Sequence, residues 1–258
     1  MIVAENISVQ ASGKSLLHNC SLTVRPGRLT ALLGPNGAGK STFISVLSGE
    51  RRPDQGEIRI ADAPLEAFSP MALARQRAVL LQNSSLDFAF IVSEVVNLGR
   101  LPYATTQDAL DDDEAVAAAC RMADIIPLLP RLYQTLSGGE RQRVQYARAL
   151  AQIWRRPNDL SQRYLFLDEP TSALDLRHRR ALLKSVRELV DQGVGVLAVL
   201  HDLNLAADYA DDIALLVNGG IFMQGPTREI MTADNLEQCF DVPVEVMHRE
   251  NGKAIVLA

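Results

Sequence analysis

The chain has few cysteines, no long apolar run and no excess of positive charge. Cys20, Cys120 and Cys239 are far apart and odd in number. That pattern fits neither a disulfide framework nor a zinc site, and it points to buried thiols in a reducing cytosol. No apolar stretch approaches the roughly 18 residues that a membrane-crossing helix needs. The opening residues Met1 to Asn6 lack the basic start and apolar stretch that mark a signal peptide. A net charge of −5 and a pI near 5.4 argue against a protein that coats nucleic acid, though not against a local basic patch. Internal repeats and low-complexity tracts are also missing. What remains is 258 residues, enough for a full core as one large domain or as two lobes.

What is there begins with Gly34-Pro35-Asn36-Gly37-Ala38-Gly39-Lys40-Ser41-Thr42, a G-x-x-x-x-G-K-[ST] phosphate loop. Leu29 to Leu33 before it is a buried-strand run, and Phe43, Val46 and Leu47 after it recur at helical spacing. The glycines let backbone N–H groups converge with no Cβ in the way. With the helix N-terminus they make an anion nest suited to polyphosphate. Lys40 supplies a charge for the β- and γ-phosphates, Ser41 a hydroxyl for Mg2+ and Thr42 one for the α-phosphate.

Around this loop the pattern predicts strands over 2–9 and 21–24, broken by Gly13 and Arg25-Pro26-Gly27. Glu57 to Ile60 alternates as a strand, 71–77 is a short helix, and Val79 to Leu81 is a buried strand ending on Gln82. Helical segments at 92–98 and 109–123 follow, the second with Asp111-Asp112-Asp113-Glu114 in its first turns, where acids complement the helix dipole. Arg155 to Arg163 is a polar linker. Buried strands resume at 164–168 and 194–200, with an amphipathic helix marked by Leu182, Val186, Leu189 and Val190 between them, and a hairpin at 213–224. Strands alternating with helices predict an α/β fold with a mainly parallel sheet.

Four further features narrow the chemistry. The strand at 164–168 delivers Asp168 and Glu169, a Walker-B pattern beside a phosphate loop. Asp168 is suited to hold Mg2+ through water, and Glu169 to polarise an attacking water as general base. Leu136-Ser137-Gly138-Gly139-Glu140 opens a helix, with Ser137 and Glu140 at capping-box spacing. Gly138 and Gly139 leave bare N–H groups at a positive helix end, a second anion site. Gln82 and His201 each follow a buried strand, and the Gln82 amide there can reach Mg2+ or the attacking water.

In this order the motifs resemble the ATP-binding-cassette (ABC) transporter ATPases over nearly the whole chain. The phosphate loop at 34–42, a Q-loop at Gln82, the signature at 136–140, Walker B at 165–169, a D-loop at Ser172-Ala173-Leu174-Asp175 and a switch His201 carry the resemblance. It implies a P-loop NTPase core with a mainly parallel sheet, an antiparallel β region and an inserted helical subdomain. The implied division is 1–85 for the first part of the core, 86–158 for the helical subdomain and 159–258 for the rest. It also implies ATP and Mg2+, and a head-to-tail homodimer. Ser137 and Gly139 of one copy would close over the nucleotide of the other, with Glu169, His201 and Gln82 at the reaction and Asp175 communicating between the sites. Ala11 stands where the family often carries an aromatic that stacks on adenine, so loose selectivity for the base is expected.

Within the family the text is most similar to the importer ATPases for iron chelates, haem and cobalamin. Val95 to Arg100 and His201 to Ala206 carry that likeness; Gln82 to Leu86, Pro170 to His178 and the 155–163 linker are similar to the haem importers. The implied partners are an integral-membrane permease dimer and, indirectly, a periplasmic substrate-binding protein, with no nucleic acid. The implied place is the cytoplasmic face of the bacterial inner membrane. Siderophore or cobalamin import is the nearer alternative reading, and a soluble cassette ATPase of DNA repair or translation the farther one. The permease is expected to dock beside Gln82, on an apolar lining that Phe88, Phe90, Ile91 and Val92 could supply.

Overall fold

The first two strands, β1 (Ile2–Ala11) and β2 (Lys14–Val24), meet in a tight hairpin. Its turn residues Ser12 and Gly13 have φ of 49° and 75°, as the turn best matched to strand twist requires. Sequence pattern starts the second strand at Ser21. Lys14, Ser15, His18 and Asn19 carry no strand signal alone, but the ladder with β1 runs out to Ala11 opposite Lys14. The computed structural model describes residues 1–82, 89–156, 159 and 161–257. Asn83 to Leu86 and Phe88, named above, lie outside the described residues.

β3 (Leu29–Leu33) feeds the phosphate loop and α1 (Lys40–Leu47). After them come β4 (Gln55–Ile60), β5 (Ala63–Pro64), α2 (Pro70–Gln76) and β6 (Arg77–Leu80). Next are the helices α3 (Val92–Asn97), α4 (Asp112–Met122) and α5 (Gly138–Ile153), with no strand among the described residues between them. β7 (Tyr164–Asp168), α6 (Leu176–Asp191), β8 (Gly195–Val199), α7 (Leu203–Tyr209), β9 (Asp212–Val217) and β10 (Gly220–Pro226) complete the alternation. Past β10, where sequence pattern yields no element, lie α8 (Thr227–Ile230), α9 (Ala233–Phe240) and the hairpin β11 (Glu245–His248) with β12 (Ala254–Leu257).

Two sheets carry the architecture. One has the order β10-β9-β3-β8-β7-β6, parallel throughout except for β10 at its edge. The other is antiparallel, β2-β1-β4-β5. The alternation of side chains along a strand divides the core between the two faces of the parallel sheet. Leu165 and Leu167 of β7, with Val196 and Ala198 of β8, join the cluster built with the helices. Tyr164 and Phe166, with Leu197 and Val199, join the cluster built with α1 and the antiparallel sheet. Strands buried on both faces read as unbroken apolar runs, which is why β3, β7 and β8 are plain in the sequence.

Two expectations meet a different local answer. The Asp111 to Glu114 run does not rest on the helix dipole alone. Asp111 pairs with Arg156, and Asp112 takes Arg100 Nε at 2.7 Å. Arg100 is buried and lies over the Tyr103 ring, so the acids tie the start of α4 to the linker. Val92 is fully buried in the helical core and cannot line a docking surface. The C-terminal segment, for which sequence pattern gives no reading, is anchored on α7: the Asn204 amide exchanges two hydrogen bonds with the Val256 main chain, at 3.0 and 2.8 Å. Leu236 on α9 is fully buried, a burial that contributes about 2 kcal/mol. All three cysteines are free and buried.

Candidate functional site

Strand register builds the site. Leu80 of β6 pairs with Leu167 of β7, Asp168 of β7 with Val199 of β8, and Leu32 of β3 also with Val199. The C-terminal ends of four parallel strands therefore lie level. Gln82, Asp168 with Glu169, His201 and the phosphate loop leave the sheet along one edge, the side where α/β sheets bind ligands.

The phosphate loop is tightly seated on its neighbours. Gly34 has φ 151°, and a Cβ there would stand 2.0 Å from the Leu216 carbonyl oxygen of β9. Gly39 has φ 105°, and its Cβ would stand 2.7 Å from the Leu16 carbonyl oxygen of β2. Only glycine fits either place. Gly39 precedes α1 with no side-chain cap, so the first N–H groups of that helix have no side-chain partner there. Asn36 and Gly37 are exposed at the crest. Lys40, by contrast, is buried and folded back: its Nζ donates to the carbonyls of Gly34 at 2.8 Å and Pro35 at 2.9 Å. Burial holds its amine below the usual lysine range, against the opposing pull of Glu169 and Asp168.

Behind Lys40, Asp168 ends β7 almost fully buried, with Oδ1 lacking any partner among the described residues. Burial, and then the Glu169 charge, push its carboxyl above the ordinary range, while Ser41 and Lys40 pull it down. A buried carboxylate oxygen with a free lone pair, beside the Ser41 hydroxyl, is a hard-oxygen pair of the kind Mg2+ takes from protein when phosphates and water fill its other positions. These residues fit the ion. Among the described residues no group of three or more metal-ligating side chains is present.

Glu169 has φ 51°, a left-handed conformation uncommon outside glycine. Its carboxylate is held from two sides. Gln82 Nε2 donates to Oε2 at 2.6 Å, and His201 Nε2 meets Oε1 at 2.6 Å. Sequence reasoning directs Gln82 and His201 to ion, water or phosphate; here both hold Glu169 instead.

The glycine-pair helix opens as its spacing predicts. Glu140 N donates to Ser137 Oγ at 3.3 Å and Ser137 N to Glu140 Oε2 at 2.8 Å. The Ser137 main-chain N–H, then the Ser137 side chain and Arg131, hold the Glu140 carboxyl below the usual range. Ser137 and Gly138 are exposed at the tip. The Ser137 hydroxyl accepts the cap bond and keeps its own proton to donate. Asp175 caps α6, taking the His178 N–H at 2.8 Å, and that bond with the His178 ring lowers its carboxyl. Gln142, which sequence reasoning misses, joins α5 to Walker B: its Nε2 donates to the Glu169 carbonyl at 3.0 Å, and its Oε1 accepts from Ala173 N at 3.2 Å. The signal available was position: Gln142 lies four residues past Gly138, on the same helix face.

A glycine loop between a buried strand and a helix, a buried Lys40, and an acid pair at the end of a neighbouring parallel strand define a P-loop NTPase. A second helix end, capped by Ser137 and opened by Gly138 and Gly139, on a stretch with no strand among the described residues, narrows this further. A model of the ABC transporter family matches residues 17–172, and the chain belongs to that family, as one of its ATPases. It is 45% identical over 258 residues to the hemin import ATP-binding protein HmuV of Gloeobacter violaceus, covering 100% of this chain and 94% of that one. The HmuV of Thermobifida fusca is 42% identical over 255 residues, 98% of this chain and 87% of that one. Among solved structures, a transporter described as of metal-chelate type, in an inward-facing conformation, matches with a TM-score of 0.79 and 26% identity. That match covers 100% of this chain and 97% of the other. No helix among the described residues is long and apolar enough to cross a membrane.

Proposed function

We propose that the chain is the ATP-hydrolysing subunit of a haem importer, working as a homodimer beneath a membrane permease dimer fed by a periplasmic substrate-binding protein. The single observation that carries the catalytic part is the level edge of parallel strands with Glu169 between Gln82 and His201. The full-length likeness to hemin import proteins carries the cargo. Residues 1–85 and 159–258 act as the nucleotide-binding core, and 86–158 as the helical subdomain. The chain sits at the cytoplasmic face of the inner membrane, and the integral-membrane permease docks near the exposed Leu81 and Leu101 rather than Val92.

ATP enters as substrate. The N–H groups of Gly34, Pro35-following Asn36, Gly37, Ala38 and Gly39 receive its phosphates, and Lys40 leaves two carbonyls to meet them. Ser41 and Thr42 supply hydroxyls. Ser41, Asp168 and Gln82 would hold Mg2+, which would supply positive charge against the phosphates. Glu169 becomes a base once Gln82 and His201 release its carboxylate and His201 turns toward the γ-phosphate. His201 then steadies the phosphate, and Glu169 takes a proton from the attacking water. Ser137, Gly138 and Gly139 of the second copy complete the anion site through bare N–H groups and the Ser137 proton. Asp175, at the start of α6, links one site to the other. Loss of the γ-phosphate removes the anion between two positive helix ends, and the pair opens.

Reconstitution with the neighbouring permease in vesicles tests the cargo. Haem uptake that needs ATP is expected. Uptake of ferric siderophore or cobalamin with no haem uptake replaces the reading by its alternative.

A further inference from the structure

We propose that Gln142 is a positioning residue for hydrolysis: it holds Glu169 by its main-chain carbonyl and transmits the tilt of α5 to Glu169 and to the Ser172–Asp175 turn together. This deepens the reading above and rests on Glu169 as general base.

A left-handed residue other than glycine persists only where its surroundings hold it. The Glu169 carbonyl, at φ 51°, takes Ser172 N at 3.3 Å, Ser172 Oγ at 3.1 Å and Gln142 Nε2 at 3.0 Å. The first two come from the same turn and move with it. Gln142 comes from another element. Its second bond, to Ala173 N at 3.2 Å, fastens the same amide to that turn. One planar amide therefore pins both ends of the turn between Glu169 and Ala173. With the carbonyl fixed, the carboxylate stays on the opposite side, against Gln82 and His201.

The same helix presents the Ser137–Gly139 tip. Gln142 lies one turn along α5 from Gly138, about 6 Å up a rigid rod. A tip drawn toward a second copy's nucleotide cannot move without carrying the brace. The seam beside the brace has room for such movement. A cavity of about 220 Å3 lies there, lined by Gln82, Tyr133, Gln142 and Gln145 among others. Gln145 Oε1 is buried on that seam with no partner among the described residues. A close-packed interface would have filled that space and paired that oxygen.

Full-length Gln142→Met and Gln142→Glu test this, read as turnover, affinity for a fluorescent ATP analogue, and melting temperature. Methionine keeps the length and loses both bonds. Its kcat is expected to fall by about tenfold to a hundredfold, the scale of a small misplacement of a catalytic group, with nucleotide affinity unchanged. Glutamate donates to the Glu169 carbonyl only when protonated. Its activity relative to the parent is expected to rise as pH falls from about 8 to about 6, a range that a carboxyl next to an acceptor and partly out of water can reach. Parental kcat in Gln142→Met overturns the proposal. So does a loss of kcat, affinity and melting temperature together with a flat Gln142→Glu ratio, which marks a packing role. Glu169→Gln in the same assay separates the layers. Turnover retained there removes Glu169 as base and this proposal with it; a dead Glu169→Gln beside a parental Gln142→Met removes the Gln142 role alone.

Discussion

The two helix ends proposed to bind anions are finished to different degrees. At the phosphate loop Lys40 and the neighbouring Glu169 are engaged from within the chain, while the first N–H groups of α1 have no side-chain cap. Lys40 is spent on the carbonyls of Gly34 and Pro35, and Glu169 is held by Gln82 and His201. At the other end, Ser137 and Gly138 stand exposed on a capped helix. The first must release internal bonds to work; the second must find something outside the chain. This asymmetry is what the proposed enzyme of two half-sites needs, in which each end completes the other.

The largest effect that bears on the comparison is Glu169→Gln. Removing a general base costs about a hundredfold to ten-thousandfold in turnover, while ATP binding is expected to persist, as measured by turnover and by equilibrium binding. Normal turnover would remove Glu169 from the chemistry. Lys40→Ala comes next. Loss of a charge-assisted bond costs about 1.5–3 kcal/mol, so ATP affinity is expected to fall by at least tenfold; unchanged affinity breaks the assignment of the phosphate loop. Ser137→Ala tests the other end on its own. Loss of an N-cap costs about 1 kcal/mol, so a melting temperature lower by a few degrees is expected, with nucleotide affinity of the phosphate loop untouched. An equal fall in that affinity would mean that the two ends are not separate.

The smallest effect concerns Asp168. Burial, then the Glu169 charge, raise its carboxyl in the folded chain. The folded state then holds a proton that the unfolded state has released, so stability falls as pH rises from the unfolded value through the raised one. Below the unfolded value the penalty is absent, and above the raised value it is complete. Without nucleotide, Asp168→Asn is expected to gain melting temperature over the parent across that rise. A difference that stays constant with pH contradicts the strained, ion-awaiting state of Asp168.

Legibility followed the physics of each region. β3, β7 and β8 are buried on both faces, so they read as nearly unbroken apolar runs, and the functional residues that end or follow them stand out in the sequence. The Ser137–Glu140 capping box was likewise readable, because both partners lie within one turn. What failed to read depends on distant partners. β2 takes its first half from the β1 ladder, and the acidic run at 111–114 is divided between Arg100 and Arg156. The C-terminal hairpin is fastened by Asn204, about fifty positions earlier in the chain. Gln142 left only its position, one turn past Gly138, because a surface-compatible residue on an amphipathic helix looks the same whether or not it braces Glu169. Val92, read as a surface residue, is core for the opposite reason: an apolar side chain at a helix start does not declare which way it faces.

The half-site account meets its most direct test in the mass of Glu169→Gln measured by light scattering, with and without Mg-ATP. A monomer without nucleotide and a dimer with it are expected, and the added change Ser137→Arg is expected to return the protein to a monomer. A Glu169→Gln protein that binds ATP yet stays monomeric, or a dimer indifferent to Ser137→Arg, contradicts it.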